Sequence, residues 1–204
     1  MYIPPLHAAP SDSACIELLR AHPLGTVVWQ QAGRLEATPL PWLLRQRTGL
    51  QLAGHLARAN PLLKALAAGP LPVLVIFQGP QGYISPNWYP SKPETERVVP
   101  TWNYSTVHAH GQLRAVAEPG WVRSLLQELT AHHEAGQPKP WRLDDAAPGF
   151  IDALQRAVVG VELAVERLEG KFKHGQDEEP RDQQGSADAL RARGQQALAD
   201  AMQR

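Results

Sequence analysis

Helices are predicted where apolar residues recur at helical spacing beside residues that cap helices. A first helix follows the polar residues 11–13 and ends before Pro23, and another begins after Asn60 and stops at Gly69. Further helices are predicted over residues 121–132 and 148–157. A last helix, residues 183–202, has only a thin apolar stripe. It is therefore expected to dock on the rest of the protein or on a partner subunit.

Strands are predicted where β-branched and aromatic residues are bounded by turn residues. The predicted strands are residues 25–29, 35–44, 50–56, 73–77, 82–85, 101–116 and 158–168. Pro39 and Pro41 cannot donate hydrogen bonds to a sheet, which places their strand at an edge or at a bulge. Gly79 and Pro80 predict a turn, after which the next strand pairs back on the one before it.

These elements predict an α+β fold that is mainly β and has a barrel architecture, because the strands are mostly antiparallel and no regular βαβ alternation occurs. A doubly wound nucleotide-binding sheet is not expected, since no Gly-x-Gly-x-x-Gly motif follows a strand. One domain is predicted over residues 1–174. Residues 175–204 are predicted to form a polar linker and the last helix.

Composition narrows the function classes. The chain has 204 residues, of which 43% are hydrophobic, enough for one sizeable core. Its 20 basic residues balance 20 acidic ones, so it lacks the net positive charge that attracts most DNA-binding proteins to DNA. The single cysteine, Cys15, excludes an internal disulfide. Because no apolar stretch is long enough to span a membrane and no secretion signal begins the chain, a soluble cytoplasmic protein is expected.

A candidate anion site lies in residues 54–61 and the helical turn that follows. If a helix begins at Asn60, its first amide groups face the loop that carries Arg58, and Lys64 lies near the same end. Helix amides and an arginine side chain together suit a phosphate group. The same residues also fit a capped helix with a solvated Arg58 and Lys64, and His55 and Arg58 could simply hydrogen-bond across a turn.

A second candidate site combines aromatic and short polar side chains at two strand ends joined by the loop 86–100. Its members are Ser85, Trp88, Trp102, Asn103 and Tyr104. This mixture suits a flat heteroaromatic ring, whose faces need apolar cover and whose rim needs hydrogen bonds. The alternative is that these rings close one end of the barrel or form a subunit interface.

The remaining polar groups favour no further site strongly. His108 and His110 share one face of a strand, but no carboxylate or cysteine stands at metal-site spacing, so no metal site is predicted. Lys171 and Lys173 share one side of an extended segment and could meet a phosphate or a carboxylate, although a solvated strand end has the same pattern. Hydrolase chemistry is not expected, because no serine or cysteine lies in a recognisable nucleophile motif.

Five short segments match, in order, the characteristic segments of one family. They are residues 1–4, 54–61, 83–89, 99–104 and 107–111. In these segments the chain resembles the PaiB-type family of FMN-binding negative transcriptional regulators. The resemblance implies a split β-barrel with peripheral helices, related to the pyridoxamine-phosphate-oxidase-like flavoproteins. It also implies a homodimer with FMN at its interface and repression of genes for degradative enzymes or sporulation.

The residues and the resemblance together give a set of candidate FMN contacts. They are His55, Arg58, Asn60, Lys64, Ser85, Trp88, Trp102, Asn103, Tyr104, Lys171 and Lys173. Arg58, Lys64 and the amides after Asn60 are expected to hold the phosphate, and residues 102–104 are expected to lie by the ring. One departure stands out, because the family pattern Lys-x-Lys-x-Ser-Gln-Asn here has Gly175 and Asp177 in place of its serine and asparagine.

Three functions stay open on the sequence. A regulator is implied by the resemblance, but the chain has no helix-turn-helix pattern and no basic stripe, so direct binding to DNA has little support. A flavin-dependent oxidoreductase acting on a small molecule is the second, since related barrels use FMN for two-electron transfer. A haem or small-molecule sensor without catalysis is the third.

Overall fold

The structure is a computed structural model that describes residues 1–46 and 49–203. Within these residues, seven strands form where apolar and polar residues alternate. They are β1 (Leu24–Gln31), β2 (Arg34–Pro41), β3 (Leu43–Gln46), β4 (Leu50–Ala57), β5 (Leu71–Ile84), β6 (Thr101–Val116) and β7 (Val158–Lys173). One sheet contains them in the order β2-β1-β5-β6-β7-β4-β3. The neighbours β1 and β2, β1 and β5, β3 and β4, and β4 and β7 pair antiparallel. The predicted mainly β architecture is confirmed.

Helices occur where capping residues and helical spacing coincide. They are α1 (Asp12–Ala21), α2 (Leu62–Ala65), α3 (Lys92–Thr95), α4 (Pro119–Glu134), α5 (Phe150–Gln155), α6 (Pro180–Arg191) and α7 (Gln196–Ala201). The start of α1 follows from its cap, because the Ser11 hydroxyl accepts a hydrogen bond from the Ala14 amide at 3.2 Å. Within the described residues, none of the helices has the length and apolar character needed to cross a membrane.

The chain forms two compact units. Unit 1 comprises Met1–His22, Phe77–His108 and Leu168–Arg204, and unit 2 comprises Pro23–Ile76 and Ala109–Arg167. In unit 2, Ala53 of β4 is buried with Leu125 and Leu129 of α4. In unit 1, Ile84 and Tyr89 are buried with apolar residues of α6 and α7. The expectation that the carboxyl-terminal helix docks is therefore confirmed, although two helices replace the one predicted.

The turn predicted at Gly79 and Pro80 is wrong, because β5 continues without a break. Gly79 has a different reason to be glycine. A Cβ atom there would lie 3.0 Å from Leu18 Cδ1 and 3.1 Å from Ser105 Cβ. The residue is small because neighbouring elements approach the strand closely, not because the chain reverses direction.

The single strand predicted over residues 35–44 is two strands, β2 and β3, which stand at opposite edges of the sheet. The chain leaves the ladder at Trp42, whose indole N–H donates to the Gly25 carbonyl at 3.2 Å. The predicted edge position of Pro39 and Pro41 is confirmed, since β2 is the outermost strand on its side.

Candidate functional site

The candidate contacts fall into two groups by their place in the chain. His55, Arg58, Asn60 and Lys64 belong to unit 2. Ser85, Trp88, Trp102, Asn103, Tyr104, Lys171 and Lys173 belong to unit 1. In the unit 1 group, side-chain alternation along β6 separates the candidates, because it places Trp102 and Tyr104 on one face of the strand and Asn103 on the other. Trp102 is 50% exposed, whereas Asn103 is only 1% exposed.

Lys171 lies between two tyrosine rings. Its Nζ atom is 5.4 Å from the centre of the Tyr104 ring and 5.7 Å from the centre of the Tyr2 ring. The amino-terminal segment is fixed nearby, because the Ala9 amide donates to the Gly170 carbonyl at 3.0 Å. An ammonium group over aromatic rings is attracted to their electron-rich faces. Tyr2 belongs to residues 1–4, one of the segments that match the family, but no local pattern predicts that its ring lies beside Lys171.

Lys173 lies beside the exposed end of β6. Its ammonium group donates to the Thr101 hydroxyl and to the Trp102 carbonyl, the latter at 3.4 Å. β7 extends beyond its predicted end at residue 168, so both lysines belong to a strand. We call Tyr2, Trp102, Tyr104, Lys171 and Lys173 the lysine–aromatic face. It offers ring surfaces and two ammonium groups within one unit.

Asn103 belongs to the interior of unit 1. Its amide nitrogen donates to the sulfur of Met202 at 3.6 Å, and its side-chain oxygen is buried without a hydrogen-bond partner among the described residues. Asn103 therefore faces the carboxyl-terminal helices and not the lysine–aromatic face.

The segment that departs from the family pattern builds a hydrogen-bond network of its own. The Ser105 hydroxyl is 2.7 Å from His174 Nε2, and the Gln176 side-chain oxygen accepts from the His174 amide at 2.8 Å. His7 Nδ1 lies 3.2 Å from the same oxygen. Burial, together with the charge of His7, lowers the pKa of His174 to about 4. His174 is thus neutral near pH 7. The side chain of Gln176 forms hydrogen bonds within this segment.

Ser85 and Trp88 have structural partners. The Ser85 hydroxyl accepts a hydrogen bond from the Asn87 amide at 3.2 Å and caps the short 3-10 turn Pro86–Trp88. The Trp88 ring has the Arg193 guanidinium 4.6 Å from its centre and meets the Tyr83 ring edge-on at 6.4 Å. Trp88 also packs on the buried cluster that α6 and α7 complete. These contacts of Trp88 fit the alternative interpretation, in which aromatic rings close one end of the barrel.

In unit 2, Arg58 is an exposed side chain just beyond the end of β4. Its Nε atom donates to the Arg156 carbonyl at 2.6 Å, so the two terminal nitrogens of the guanidinium lie outside this bond. Arg58 and Arg156 both line a cavity of about 250 Å³ together with Gln155 and Asp152, whose carboxylate is paired with Arg123 at 2.8 Å. The guanidinium is therefore held at one point and keeps the atoms that suit a phosphate group.

The backbone amides expected to bind phosphate are already paired. The Leu62 amide donates to the Asn60 side chain at 3.0 Å, and the Leu63 amide donates to the Asn60 carbonyl at 3.1 Å. The Lys64 amide donates to the Pro61 carbonyl at 3.0 Å. Asn60 thus acts as a cap, and α2, with only four residues, leaves none of these three amides open. The exposed Lys64 ammonium group remains as a cation at this place.

His55 lines a different cavity of unit 2 from the one that Arg58 lines. His55 belongs to β4, whereas Arg58 lies in the turn that follows the strand. His55 Nδ1 is buried and has no hydrogen-bond partner among the described residues. Burial also lowers the pKa of His55, because it disfavours the charged imidazolium.

Comparison with known proteins shows the family and the fold of this chain. Residues 1–167 match the family model described as "Putative FMN-binding domain". The protease synthase and sporulation protein PAI 2 of Bacillus subtilis is 30% identical over 181 residues, which span 87% of this chain and 83% of that protein.

Two solved structures share the fold at low sequence identity. The FAD and heme binding protein from Mycobacterium smegmatis superposes with a TM-score of 0.61 at 21% identity, covering 86% of this chain and 78% of that one. The flavocytochrome Anf3 from Azotobacter vinelandii gives 0.59 at 17% identity, covering 82% and 70%. The split β-barrel predicted from the sequence is confirmed.

Proposed function

The chain belongs to the PaiB-type family of flavin-binding split barrels, and we propose that its flavin is FMN. We further propose that it works as a cytoplasmic homodimer and as a negative regulator of transcription. The flavin proposal depends on one observation above all, the lysine–aromatic face of unit 1. Ring surfaces on this face suit the planar flavin ring, and its two ammonium groups suit the oxygen and nitrogen atoms on the rim of that ring.

We also propose that Arg58 and Lys64 hold the phosphate of FMN. Arg58 keeps its two terminal nitrogens beyond the bond to Arg156, and Lys64 is exposed. Guanidinium and ammonium groups both favour phosphate, and the guanidinium can meet two of its oxygens at once. The proposed contacts leave out five of the candidates, because each of these has a different place or partner in the structure: His55, Asn60, Ser85, Trp88 and Asn103. When bound, the flavin supplies two-electron transfer.

Regulation is proposed to be indirect. The name of the Bacillus subtilis relative refers to protease synthesis and sporulation, which supports a regulatory role for this chain. Its charges, however, sum to zero, so the nonspecific attraction on which DNA-binding proteins depend is weak. A flavin-bound homodimer that acts through another protein or a small molecule is consistent with both facts.

Paired titrations with FMN and riboflavin test the phosphate assignment, because riboflavin has the same ring without the phosphate. Arg58→Ala is expected to weaken FMN binding by about tenfold to a hundredfold and to leave riboflavin binding unchanged. Arg34→Ala, a change at an exposed arginine of β2, is the matched control and should affect neither ligand. If Arg58→Ala binds FMN as tightly as the wild type does, the phosphate assignment is wrong.

A further inference from the structure

Lys171, on the lysine–aromatic face of unit 1, is a cation without a counter-ion. Its ammonium group lies 5.4 Å and 5.7 Å from the centres of the Tyr104 and Tyr2 rings, and it forms no ion pair within the part of the chain that the structure describes. The residue is half-buried, so water screens its charge less than that of a fully exposed lysine. A partly buried charge is stabilised most by an opposite charge, which the two neutral tyrosine rings do not supply.

The other charged groups of this part of β7 have partners. Lys173 donates to the Thr101 hydroxyl and to the Trp102 carbonyl, and the negative charge of Glu178 acts on it as well. Glu169 forms an ion pair with the amino group of the first residue at 3.0 Å. Lys171 is therefore the cation of the lysine–aromatic face whose charge is left for a ligand to balance.

Oxidised and reduced flavin differ in the charge that they present to such a cation. Above neutral pH, reduction adds two electrons and one proton to the ring, so the ring gains one negative charge. The neutral oxidised ring offers an ammonium group only polar atoms, whereas the reduced ring offers an anion. Opposite charges attract each other more strongly than a charge attracts a dipole, particularly where water is partly excluded.

We propose that Lys171 is the counter-ion of reduced flavin, so that the lysine–aromatic face binds the reduced cofactor more tightly than the oxidised one. The inference rests on the proposed flavin function and specifies its direction. Preferential binding of the reduced form raises the midpoint potential of bound FMN above that of free FMN, which makes the bound flavin a better acceptor of electrons. For a two-electron couple, each tenfold preference raises the potential by about 30 mV.

Anaerobic titration with dithionite and a reference dye at about pH 8 measures this potential in the full chain, at a protein concentration that leaves little FMN unbound. The wild type is expected to lie at least about 30 mV above free FMN, which corresponds to a preference of at least tenfold. Lys171→Gln should lower the potential by about 30 mV, because it removes the charge, whereas Lys171→Arg keeps the charge and should keep the potential.

Two further variants are controls. Lys92→Gln removes an exposed lysine of α3, elsewhere in unit 1, and should leave the potential of bound FMN unchanged. Arg58→Ala should also leave it unchanged, since the charge of the phosphate is the same in both states of the flavin. Riboflavin, which lacks the phosphate, should show the same decrease in Lys171→Gln as FMN does.

Three results would overturn the inference: a wild-type potential at or below that of free FMN, a wild-type potential in Lys171→Gln, or a decrease in Lys171→Gln that occurs with FMN and not with riboflavin. The last result would place the lysine at the phosphate. The absorption spectrum before reduction separates this inference from the proposed function. If no flavin is bound, the proposed function fails as well, whereas bound flavin with an unshifted potential contradicts the role of Lys171 alone.

Discussion

At the scale of single residues, the contacts of Lys171 in the structure are more specific than its sequence pattern predicts. Two lysines at alternate positions indicate only a shared side of an extended segment. In the structure Lys171 is flanked by Tyr2 and Tyr104, residues far apart in the chain. Asn103 shows the opposite case. A motif match grouped it with its neighbours on β6, but alternation places it among buried residues. Local pattern predicts which residues share a face of a strand, whereas long-range packing decides what covers that face.

We expect Lys171→Gln to weaken the binding of FMN and riboflavin by the same factor, about tenfold, because the lysine is proposed to contact the ring that both ligands share. Arg58→Ala, in contrast, should affect FMN alone. Lys139→Gln, at an exposed lysine of unit 2, is the control for loss of one positive charge. Fluorescence titration with both flavins measures the two constants. A loss for FMN with none for riboflavin would remove Lys171 from the ring.

The neutral state of His174 makes stability depend on pH. Its pKa is about 4 in the folded protein and has an ordinary value of 6.5. The unfolded chain therefore binds more protons than the folded one between these values, so the free energy of unfolding falls as the pH drops through this window. Above about pH 6.5 the contribution is complete.

Urea unfolding between pH 7.5 and 4.5 checks this expectation. His174→Gln cannot titrate and keeps a polar group near the Ser105 hydroxyl, so its stability should decline less steeply with falling pH than that of the wild type. Comparing the two proteins cancels the titration of other groups, including Glu178, whose pKa burial raises. Identical slopes would show that His174 does not contribute.

At the scale of elements, β-branched runs predicted most strands correctly, and errors arose where distant contacts decide the role of a residue. The Gly79–Pro80 pair has the local composition of a turn, yet β5 continues because Leu18 and Ser105 pack against the glycine. The thin apolar stripe over residues 183–202 predicts a single last helix. It divides into α6 and α7, separated by a segment in which Gly194 has a φ of 75°.

The attachment of α6 depends on a buried carboxylate. Asp182 accepts hydrogen bonds from the Ser91 amide at 3.0 Å and the Ser91 hydroxyl at 2.6 Å, and both residues are buried. Asp182→Ala would leave both donors unpaired and should lower the free energy of unfolding by about 3 kcal/mol. On the same helix, Asp188 forms an exposed ion pair with Arg191, so Asp188→Ala should cost less than about 1 kcal/mol. Equal effects of the two changes would contradict this role for Asp182.

At the scale of the whole molecule, the exposed apolar residues support the proposed homodimer. Large exposed side chains in unit 1 are Met1, Tyr2, Leu6, Tyr83, Val99 and Trp102. Aromatic residues of this kind are enriched at subunit interfaces. Sedimentation velocity at micromolar concentration should therefore show twice the 22.4 kDa mass of the chain. A species of 22.4 kDa alone would contradict the dimer while leaving the family and the fold in place.

The sequence predicted the family, the mainly β fold and the positions of most elements, because each depends on local pattern or on contiguous motifs. It could not show that Arg58 and His55 line different cavities, or that the amides after Asn60 are paired within the chain. Those facts depend on the hydrogen bonds that form within the short helix α2 and on the residues that pack beside each strand. The sequence motifs and the contacts in the structure are combined in one central claim, which is that this chain binds FMN.

Equilibrium dialysis of the purified protein against FMN, followed by its visible spectrum, tests that claim most directly. We predict saturable binding that approaches one flavin per chain, with the absorption bands of bound flavin and displacement by excess unlabelled FMN when a labelled ligand is used. Equal FMN concentrations on both sides of the membrane at protein excess, with no change in the flavin spectrum, would contradict it.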